Sequence, residues 1–178
     1  IYVLDPAIFD YIPEDKPVSI ERQIFPKLAL EGRLFGHEFR GFWIDIGEPT
    51  DCLMANKLLL GMQKKNKTGK DVVLERGAEI QKPSVLGDRV NVGEGARIGP
   101  HVSLGDHASV GRGARIENSI IFAGTTISEF ATVKGAIIGE TVIIGKNVKI
   151  NEGCIIGDQA IIQDNVTLTR DVTVCPSK

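Results

Sequence analysis

The sequence predicts a mainly β protein whose larger part is a parallel β-helix, and three observations support this. From Leu74 to Val174, seventeen successive repeats of about six residues each open with Leu, Ile or Val. The residue two places before each next opener is always small or β-branched, and Gly often follows the opener. A period of six fits neither a 3.6-residue helix nor a long flat strand, but it suits short strands joined by regular corners. Hexapeptide periodicity of this kind is typical of a parallel β-helix.

Three repeats make one triangular coil, so openers three repeats apart are predicted to stack on the same face. Face A has the openers Ile80, Ile98, Ile116, Val133, Ile150 and Leu168. Face B has the openers Leu86, Leu104, Ile121, Ile138 and Ile156. Face C has the openers Leu74, Val92, Val110, Ile127, Ile144 and Ile162. Because side chains alternate along a strand, the residue before each opener should point outward.

Two repeats, those opened by Ile116 and Val133, have five residues instead of six. They are three repeats apart, so both deletions fall on the corner between face A and face B, one coil above the other. Because both deletions lie at the same corner of successive coils, they indicate selection for the shape of the β-helix at that edge. Simple tolerance of deletions in a corner explains it equally well.

The outward column is polar on face A and apolar on the C-terminal coils of faces B and C. Five isoleucines form the apolar part: Ile120, Ile137, Ile143, Ile155 and Ile161. A contiguous exposed apolar patch usually marks a contact surface. We therefore expect this isoleucine patch to pack against another subunit of a homo-oligomer or against the chain's own N-terminal domain. The alternative is that these residues are ordinary strand formers, exposed singly.

Ahead of the repeats, the sequence predicts a different fold of short helices and strands. Strands are expected at residues 1–4, 34–39 and 42–46, and helices after Asp5-Pro6, after an N-cap at Ser19 and after an N-cap at Thr50. The opening strand would belong inside a sheet whose other strands are missing, so we expect the chain to be cut from a longer protein. A polar, lysine-rich stretch predicts a linker. The predicted organisation is therefore a domain at 1–62, a linker at 63–71 and a β-helix at 72–178.

Composition and charge argue against several kinds of partner and site. A net charge of −2 and a pI near 6.0 give no polyanion-binding signal, so no nucleic acid partner is expected. Cys52, Cys154 and Cys175 are odd in number and widely spaced, which argues against a disulfide framework or a zinc site. A cytoplasmic location follows as the default. No apolar run approaches the roughly 20 residues needed to cross a bilayer, so no membrane association is expected.

Two histidines and one cysteine of the repeats could carry chemistry. His101 and His107 lie in corners, and β-helix proteins that transfer acyl groups use a histidine as general base. Such enzymes project that histidine from a loop or a cleft between subunits, and no loop interrupts these repeats. We therefore expect both histidines to be solvent-exposed turn residues. Cys154 occupies an inward position and is expected in the core.

The stretch from Gly41 to Pro49, GFWIDIGEP, carries a more specific signal. Asp45 follows the apolar residues Trp43 and Ile44 at the end of a predicted strand. Gly47 and Pro49, which can begin a helix, come shortly after it. This pattern would place one carboxylate at the edge of a sheet between apolar walls. Such a carboxylate is suited to hold Mg²⁺ beside a phosphate. A strand-end aspartate that serves only as a turn or cap residue is the alternative.

Three stretches of residues 1–60 resemble the C-terminal third of the catalytic domain of sugar-1-phosphate nucleotidyltransferases. They are IYVLDP, SIERQIFPKLALEGRLFG and GFWIDIGEPTDCLMANKLLL. That family often carries a C-terminal left-handed hexapeptide β-helix, which the repeats resemble. The resemblance implies a partial α/β nucleotidyltransferase domain followed by a left-handed β-helix. Within the family the chain is most similar to mannose-1-phosphate guanylyltransferases, which make GDP-mannose, or to a glucose-1-phosphate relative.

The resemblance also implies roles for two residues. Asp45 matches the strand-end aspartate that helps to bind catalytic Mg²⁺, and Tyr2 lies where the chain of the family passes close to the sugar. The sequence departs from the family because it lacks the glycine-rich nucleotide loop, the first metal-binding aspartate and the sugar-binding Glu-Lys-Pro. No catalytic residue is therefore assigned, and the chain alone is expected to be inactive.

Three interpretations of function stay open on sequence alone. The first is part of a nucleotidyltransferase that uses a nucleoside triphosphate and a sugar 1-phosphate, with Mg²⁺. The second is a hexapeptide acyltransferase that uses His101 or His107. The third is a non-catalytic relative whose β-helix serves assembly or regulation.

Overall fold

The computed structural model describes residues 1–63 and 65–178, which form two compact units, Ile1–Trp43 and Ile44–Lys178. The predicted division after residue 62 differs from this one. The reason is that residues 44–62 pack with the β-helix rather than with the first unit. The predicted linker at 63–71 also contains a strand, Lys67–Thr68, which extends the β-helix by pairing with Val85 and Leu86. Lys64, within that linker, lies outside the described residues.

The first compact unit contains three short helical segments. They are a 3₁₀ helix at Pro6–Tyr11, a π-helical turn at Ile20–Ile24 and helix α1 at Phe25–Leu30. Asp5 and Ser19 cap the first two, as the sequence predicts, because their side chains accept hydrogen bonds from the amides of Ala7 and Arg22. The strands predicted at 1–4, 34–39 and 42–46 do not form. A strand needs a ladder partner, and these segments have none among the described residues. The partial α/β domain is therefore not confirmed.

Helix α2 spans Pro49–Gly61 at the start of the second unit, and its N-cap is Glu48 rather than the predicted Thr50. Pro49 explains the shift. Its fixed φ and missing N–H suit the first helical position, which leaves the residue before it as the cap. No helix in the part of the chain that the structure describes is long and apolar enough to span a membrane.

Parallel strands of two or three residues make up the β-helix, as the repeats predict. They are β1 Lys67–Thr68, β2 Val73–Leu74, β3 Glu79–Ile80, β4 Ser84–Leu86, β5 Asn91–Val92, β6 Arg97–Ile98, β7 Val102–Leu104, β8 Ser109–Val110, β9 Arg115–Glu117, β10 Ile120–Ile121, β11 Thr126–Ile127, β12 Thr132–Lys134, β13 Ile137–Ile138, β14 Ile143–Ile144, β15 Lys149–Ile150, β16 Ile155–Ile156, β17 Ile161–Ile162, β18 Thr167–Leu168 and β19 Thr173–Val174. They form three sheets of seven, six and six strands. These sheets are the predicted faces B, C and A, and each opener pairs with the opener one coil away.

The interior of the β-helix is filled by the openers and by the column of small residues. In the middle coils, from Leu86 to Ile156, both columns are buried. Two polar members of that column, Ser119 and Thr125, are buried but hydrogen-bonded. Ser119 Oγ donates to the Glu117 carbonyl at 2.7 Å, and Thr125 Oγ1 donates to the Gly139 carbonyl at 2.7 Å. These bonds remove the cost of burying a hydroxyl.

Close stacking of successive coils explains the glycines that follow many openers. A Cβ atom on Gly139 would lie 2.3 Å from Asp158 Oδ1 and 2.8 Å from the Asp158 amide of the next coil. That carboxylate oxygen accepts a hydrogen bond from the Glu140 amide at 2.8 Å. Glycine is therefore needed because successive coils stack closely at the corner.

Candidate functional site

Asp45 belongs to the compact unit that contains the β-helix, and its side chain is exposed. A carboxylate oxygen is the type of ligand that Mg²⁺ prefers, so Asp45 fits as one ligand. No group of three or more His, Cys, Asp or Glu side chains among residues 1–63 and 65–178 is arranged to hold a metal ion. These residues therefore supply one ligand rather than a complete site.

The segment that follows Asp45 is held by the first turn of α2. Asp51 Oδ2 accepts hydrogen bonds from the amides of Gly47 at 3.2 Å and Glu48 at 3.0 Å. Both contacts satisfy N–H groups at the helix N-terminus, where a negative charge is also favoured by the helix dipole. The backbone two and three residues after Asp45 is thereby fixed to α2.

Helix α2 is joined in turn to the β-helix by Asn56. Its Oδ1 accepts a hydrogen bond from Ser103 Oγ at 2.6 Å, and its Nδ2 donates to the His101 carbonyl at 3.3 Å. Ser103 lies in β7, the strand against which α2 packs. We call these two bonds the Asn56 clasp. The oxygen and the nitrogen of the Asn56 side chain therefore both bond to the β-helix, which fixes the position of helix α2 on face B.

A groove of about 460 Å³ runs between α2 and the edge where faces A and B meet. It is lined by Thr50, Leu53, Met54, Lys57, His101, Glu117, Asn118, Lys134, Gly135, Glu152, Gly153, Arg170 and Asp171. The corners of the two shortened repeats, at 118–119 and 135–136, border this groove. Each of these corners has two residues. The corner above them, at 151–154, has four. The paired deletions therefore shape this groove.

Tyr2, the predicted sugar-contacting residue, is engaged with its own compact unit. Its hydroxyl donates a hydrogen bond to Glu21, and its ring packs edge-on against Phe25 with centroids 4.9 Å apart. The hydrogen bond to Glu21 raises the pKa of Tyr2 above its ordinary value, with smaller contributions from burial and the Glu21 charge. These contacts fasten the N-terminal segment to the helical turn at Ile20–Ile24. Substrate contact by Tyr2 stays a prediction.

The residues of the acyltransferase interpretation lie apart from one another. His107 is exposed in its corner, as expected. His101 is half-buried, contrary to the expectation, because it borders the groove beside α2. Its Nδ1 is buried without a hydrogen-bond partner among the described residues. Cys154 is buried in the core as predicted, and its thiol donates to the Thr169 carbonyl at 3.0 Å.

The isoleucine patch is continuous on each of its two faces. Ile120, Ile137 and Ile155 stack in register on face B and are half-buried, whereas Ile143 and Ile161 pair on face C and are 46% and 50% exposed. Phe122, 45% exposed, lies on the adjoining corner beside Ile137 and Ile155. The structure thus places an apolar surface where the sequence predicts one, and its partner stays a prediction.

Comparison of the sequence with protein families identifies the β-helix. The sequence model of the GMPPB C-terminal domain matches residues 80–178, which is more than half of the chain. The chain belongs to the GMPPB C-terminal domain family. This membership confirms the predicted resemblance to mannose-1-phosphate guanylyltransferases.

Curated relatives extend the similarity beyond the GMPPB C-terminal domain. The chain is 33% identical over 166 residues to the probable mannose-1-phosphate guanylyltransferase 2 of Oryza sativa subsp. japonica, an alignment that covers 85% of this chain and 46% of the relative. It is 51% identical over 53 residues to the mannose-1-phosphate guanylyltransferase catalytic subunit beta of Xenopus tropicalis, covering 30% of this chain and 14% of that one. The chain thus spans about half the length of the rice relative.

Solved structures support the fold of this family member. A hexapeptide transferase family protein from Anaplasma phagocytophilum aligns with a TM-score of 0.60 at 13% identity, over 62% of this chain and 70% of that one. A putative acetyltransferase from Desulfovibrio desulfuricans G20 aligns with a TM-score of 0.54 at 14% identity, over 83% of this chain and 32% of that one. At such low identity these similarities show the β-helix fold alone.

Sequence reasoning missed the residues that connect Asp45 to the β-helix. Ser103 could have been noticed, because it is a polar residue between Val85 and Ile120 in the outward column of face B. Asn56 gave a weaker signal, as one polar residue among the apolar positions of α2. Asp51 falls in the first turn of the helix predicted after Thr50, and the sequence alone does not mark it as the acceptor for the amides of Gly47 and Glu48.

Proposed function

We propose that the protein carrying this chain is a mannose-1-phosphate guanylyltransferase, which makes GDP-mannose and pyrophosphate from GTP and mannose 1-phosphate. One observation supports this most strongly. The alignment with the rice relative covers 85% of the chain, so it extends well into the segment before residue 80. Hexapeptide repeats occur with many activities, but this combination of an N-terminal segment and a β-helix is more specific.

In this reaction a phosphate oxygen of mannose 1-phosphate attacks the α-phosphorus of GTP. The bond from that phosphorus to the oxygen bridging the β-phosphate breaks, and pyrophosphate leaves with the electron pair. The chemistry depends on positioning the two phosphates and stabilising their charge. Magnesium, when bound, would neutralise part of this charge.

The contribution of this chain to the reaction is the carboxylate of Asp45. Asp45 is exposed, and Asp51 orders the backbone that follows it. We propose that Asp45 supplies one oxygen ligand to the metal, and that Tyr2 lies near the sugar. The remaining ligands would be phosphate oxygens, water or groups outside this chain.

The test of this function is a substrate panel. The protein carrying this chain is assayed for pyrophosphate release with GTP, ATP or UTP, each combined with mannose 1-phosphate or glucose 1-phosphate. We expect the highest kcat/KM with GTP and mannose 1-phosphate. A preference for another pair would overturn the substrate assignment, and no release with any pair would overturn the reaction.

The β-helix has a second proposed role, in assembly. We propose that the isoleucine patch is the contact between copies of the protein in a homo-oligomer. The support is the stacking of Ile120, Ile137 and Ile155 on one face and the exposure of Ile143 and Ile161 on the next. Each of these side chains is already about half-buried, so covering it in a contact would contribute about half of the ~1.5 to 3 kcal/mol of full burial. The cytoplasmic location and the lack of nucleic acid partners stay predictions.

A further inference from the structure

The position of Asp45 in the fold indicates a role for the β-helix beyond assembly. Asp45 lies at the start of the compact unit Ile44–Lys178, which also contains helix α2 and the β-helix. The covalent connection is short, because α2 begins at Pro49. A carboxylate that binds a metal beside reacting phosphates must be held in a fixed position. Helix α2 connects Asp45 to the β-helix, which can provide that rigidity.

We propose that Asn56 and Asp51 are positioning residues that hold the segment Asp45–Glu48 in a fixed place on the β-helix. The inference rests on the proposed function, because it gives the β-helix a part in placing the Asp45 carboxylate. It needs no contact between the two compact units.

The Asn56 clasp joins helix α2 to the β-helix. Hydrogen bonds at 2.6 Å to Ser103 and 3.3 Å to His101 use both the acceptor and a donor of one side chain. Ala55, the neighbour of Asn56 in the chain, is buried, so the clasp lies beside a packed part of the helix. Partly buried amide hydrogen bonds are stronger and more directional than exposed ones. The helix is thereby prevented from sliding or turning on face B.

Helix α2 carries this constraint from Asn56 back to Asp51. Asp51 lies five residues before Asn56, which is about 8 Å of helix at 1.5 Å per residue. A helix segment this short behaves as a rigid rod, because its backbone hydrogen bonds are consecutive. Asp51 then holds the amides of Gly47 and Glu48 at 3.2 and 3.0 Å. The backbone next to Asp45 is therefore tied to strand β7.

The outward column of face B changes character along the β-helix. It is apolar at Val85, Ile120, Ile137 and Ile155 and polar at Ser103 and, in the last coil, at Thr173. Ser103 lies where helix α2 packs, and the isoleucine patch begins one coil further on. Face B therefore has two separate tasks: its early coils hold α2, and its later coils carry the apolar surface.

The test compares variants by amide hydrogen exchange and by kinetics, in the protein that carries this chain. Asn56→Leu keeps the size of the side chain but removes both bonds, and Ser103→Ala removes one. We expect the amides of Gly47 and Glu48 to exchange about tenfold faster in Asn56→Leu, and less so in Ser103→Ala. We also expect kcat to fall with little change in KM for GTP, because the reacting geometry is loosened while nucleotide binding is kept.

Two controls separate positioning from general stability. Ser103→Thr keeps the hydroxyl and should restore slow exchange and kcat. Ser109→Ala removes a serine from the equivalent outward position on face C of the same coil, where it forms no hydrogen bond to α2 among the described residues, and should change neither. The amides of Ile138 and Ile144, in the core, should stay protected in every variant, which shows that the β-helix remains folded.

The outcomes distinguish this inference from the proposed function. Unchanged exchange at Gly47 and Glu48 in Asn56→Leu, with a folded core, would overturn the positioning role whatever the activity. Faster exchange with an unchanged kcat would overturn the link to catalysis. An Asp45→Asn variant that keeps full activity would instead remove the proposed role of Asp45 and leave the clasp as a structural finding.

Discussion

Ser103 in strand β7 donates a hydrogen bond of 2.6 Å to Asn56 in helix α2, a residue 47 positions earlier in the chain. This contact connects the two parts of the protein that the sequence treats as separate domains. It explains why the helix after Asp45 packs with the β-helix. A β-helix of this kind is thus both a scaffold for α2 and a carrier of the isoleucine patch.

The isoleucine patch predicts the assembly state. Ile137→Lys places a charge at the centre of the stacked column on face B, between Ile120 and Ile155. We expect this variant to shift the protein from oligomer to monomer in analytical ultracentrifugation, because burying an unpaired charge is costly. Thr132→Lys, at the equivalent outward position of face A, is the matched control and should leave the oligomer intact. A wild-type protein that sediments as a monomer at all concentrations would contradict the proposal.

The stacking of corners predicts the effect of a methyl group at Gly139. In Gly139→Ala the new Cβ would meet the amide and carboxylate of Asp158, and strain of this kind costs about 1 to 3 kcal/mol. Thermal unfolding should therefore occur at a lower temperature. Gly61→Ala is the control, because nothing lies within 4 Å of its Cβ position and alanine suits a helix end. Equal stability of the two variants would show that the coils can separate at the corner.

Glu129 predicts a pH-dependent contribution to stability. Its own backbone amide and Lys146, at 3.4 Å, lower the pKa of this carboxyl below its ordinary value. Glu129 therefore ionises more readily in the folded state, so its stabilisation is present at neutral pH and is lost as the pH falls through the lowered pKa. In Lys146→Met the pKa should rise part of the way to its ordinary value, since the backbone bond remains.

The measurement for Glu129 is the carboxyl chemical shift as a function of pH. Lys149→Met is the control, because Lys149 lies in the outward column of face A and forms no ion pair with Glu129 among the described residues. An unchanged titration of Glu129 in Lys146→Met would mean that the ion pair is screened by solvent.

Much of the β-helix could be predicted from sequence, because its repeats are strictly periodic. The three faces, the inward column and the burial of Cys154 follow from a spacing that every coil repeats. The region before residue 72 lacks such repetition. The strands expected at 34–39 and 42–46 depend on partners that the described residues do not supply, and alternation alone does not reveal this.

The candidate site could be predicted only in part, for a related reason. Asp45 was found through its strand-end pattern and a family resemblance. The contacts that fix its neighbours join Asp51 to Gly47 locally and Asn56 to Ser103 across 47 positions. A long-range contact between one helix and one strand leaves no periodic trace in a single sequence. His101 was misjudged for the same reason, because α2 covers a corner that looks exposed in the repeat pattern.

Asp45 is the residue proposed to bind the metal in guanylyl transfer. The most direct test of this role is pyrophosphate release from GTP and mannose 1-phosphate by the protein that carries this chain, with Asp45→Asn as the variant and Asp15→Asn, at another exposed aspartate, as the matched control. We expect kcat to fall about 100-fold or more in Asp45→Asn, because a charge at the reacting phosphates is removed, and to stay unchanged in Asp15→Asn. Full activity in Asp45→Asn would contradict the proposed role.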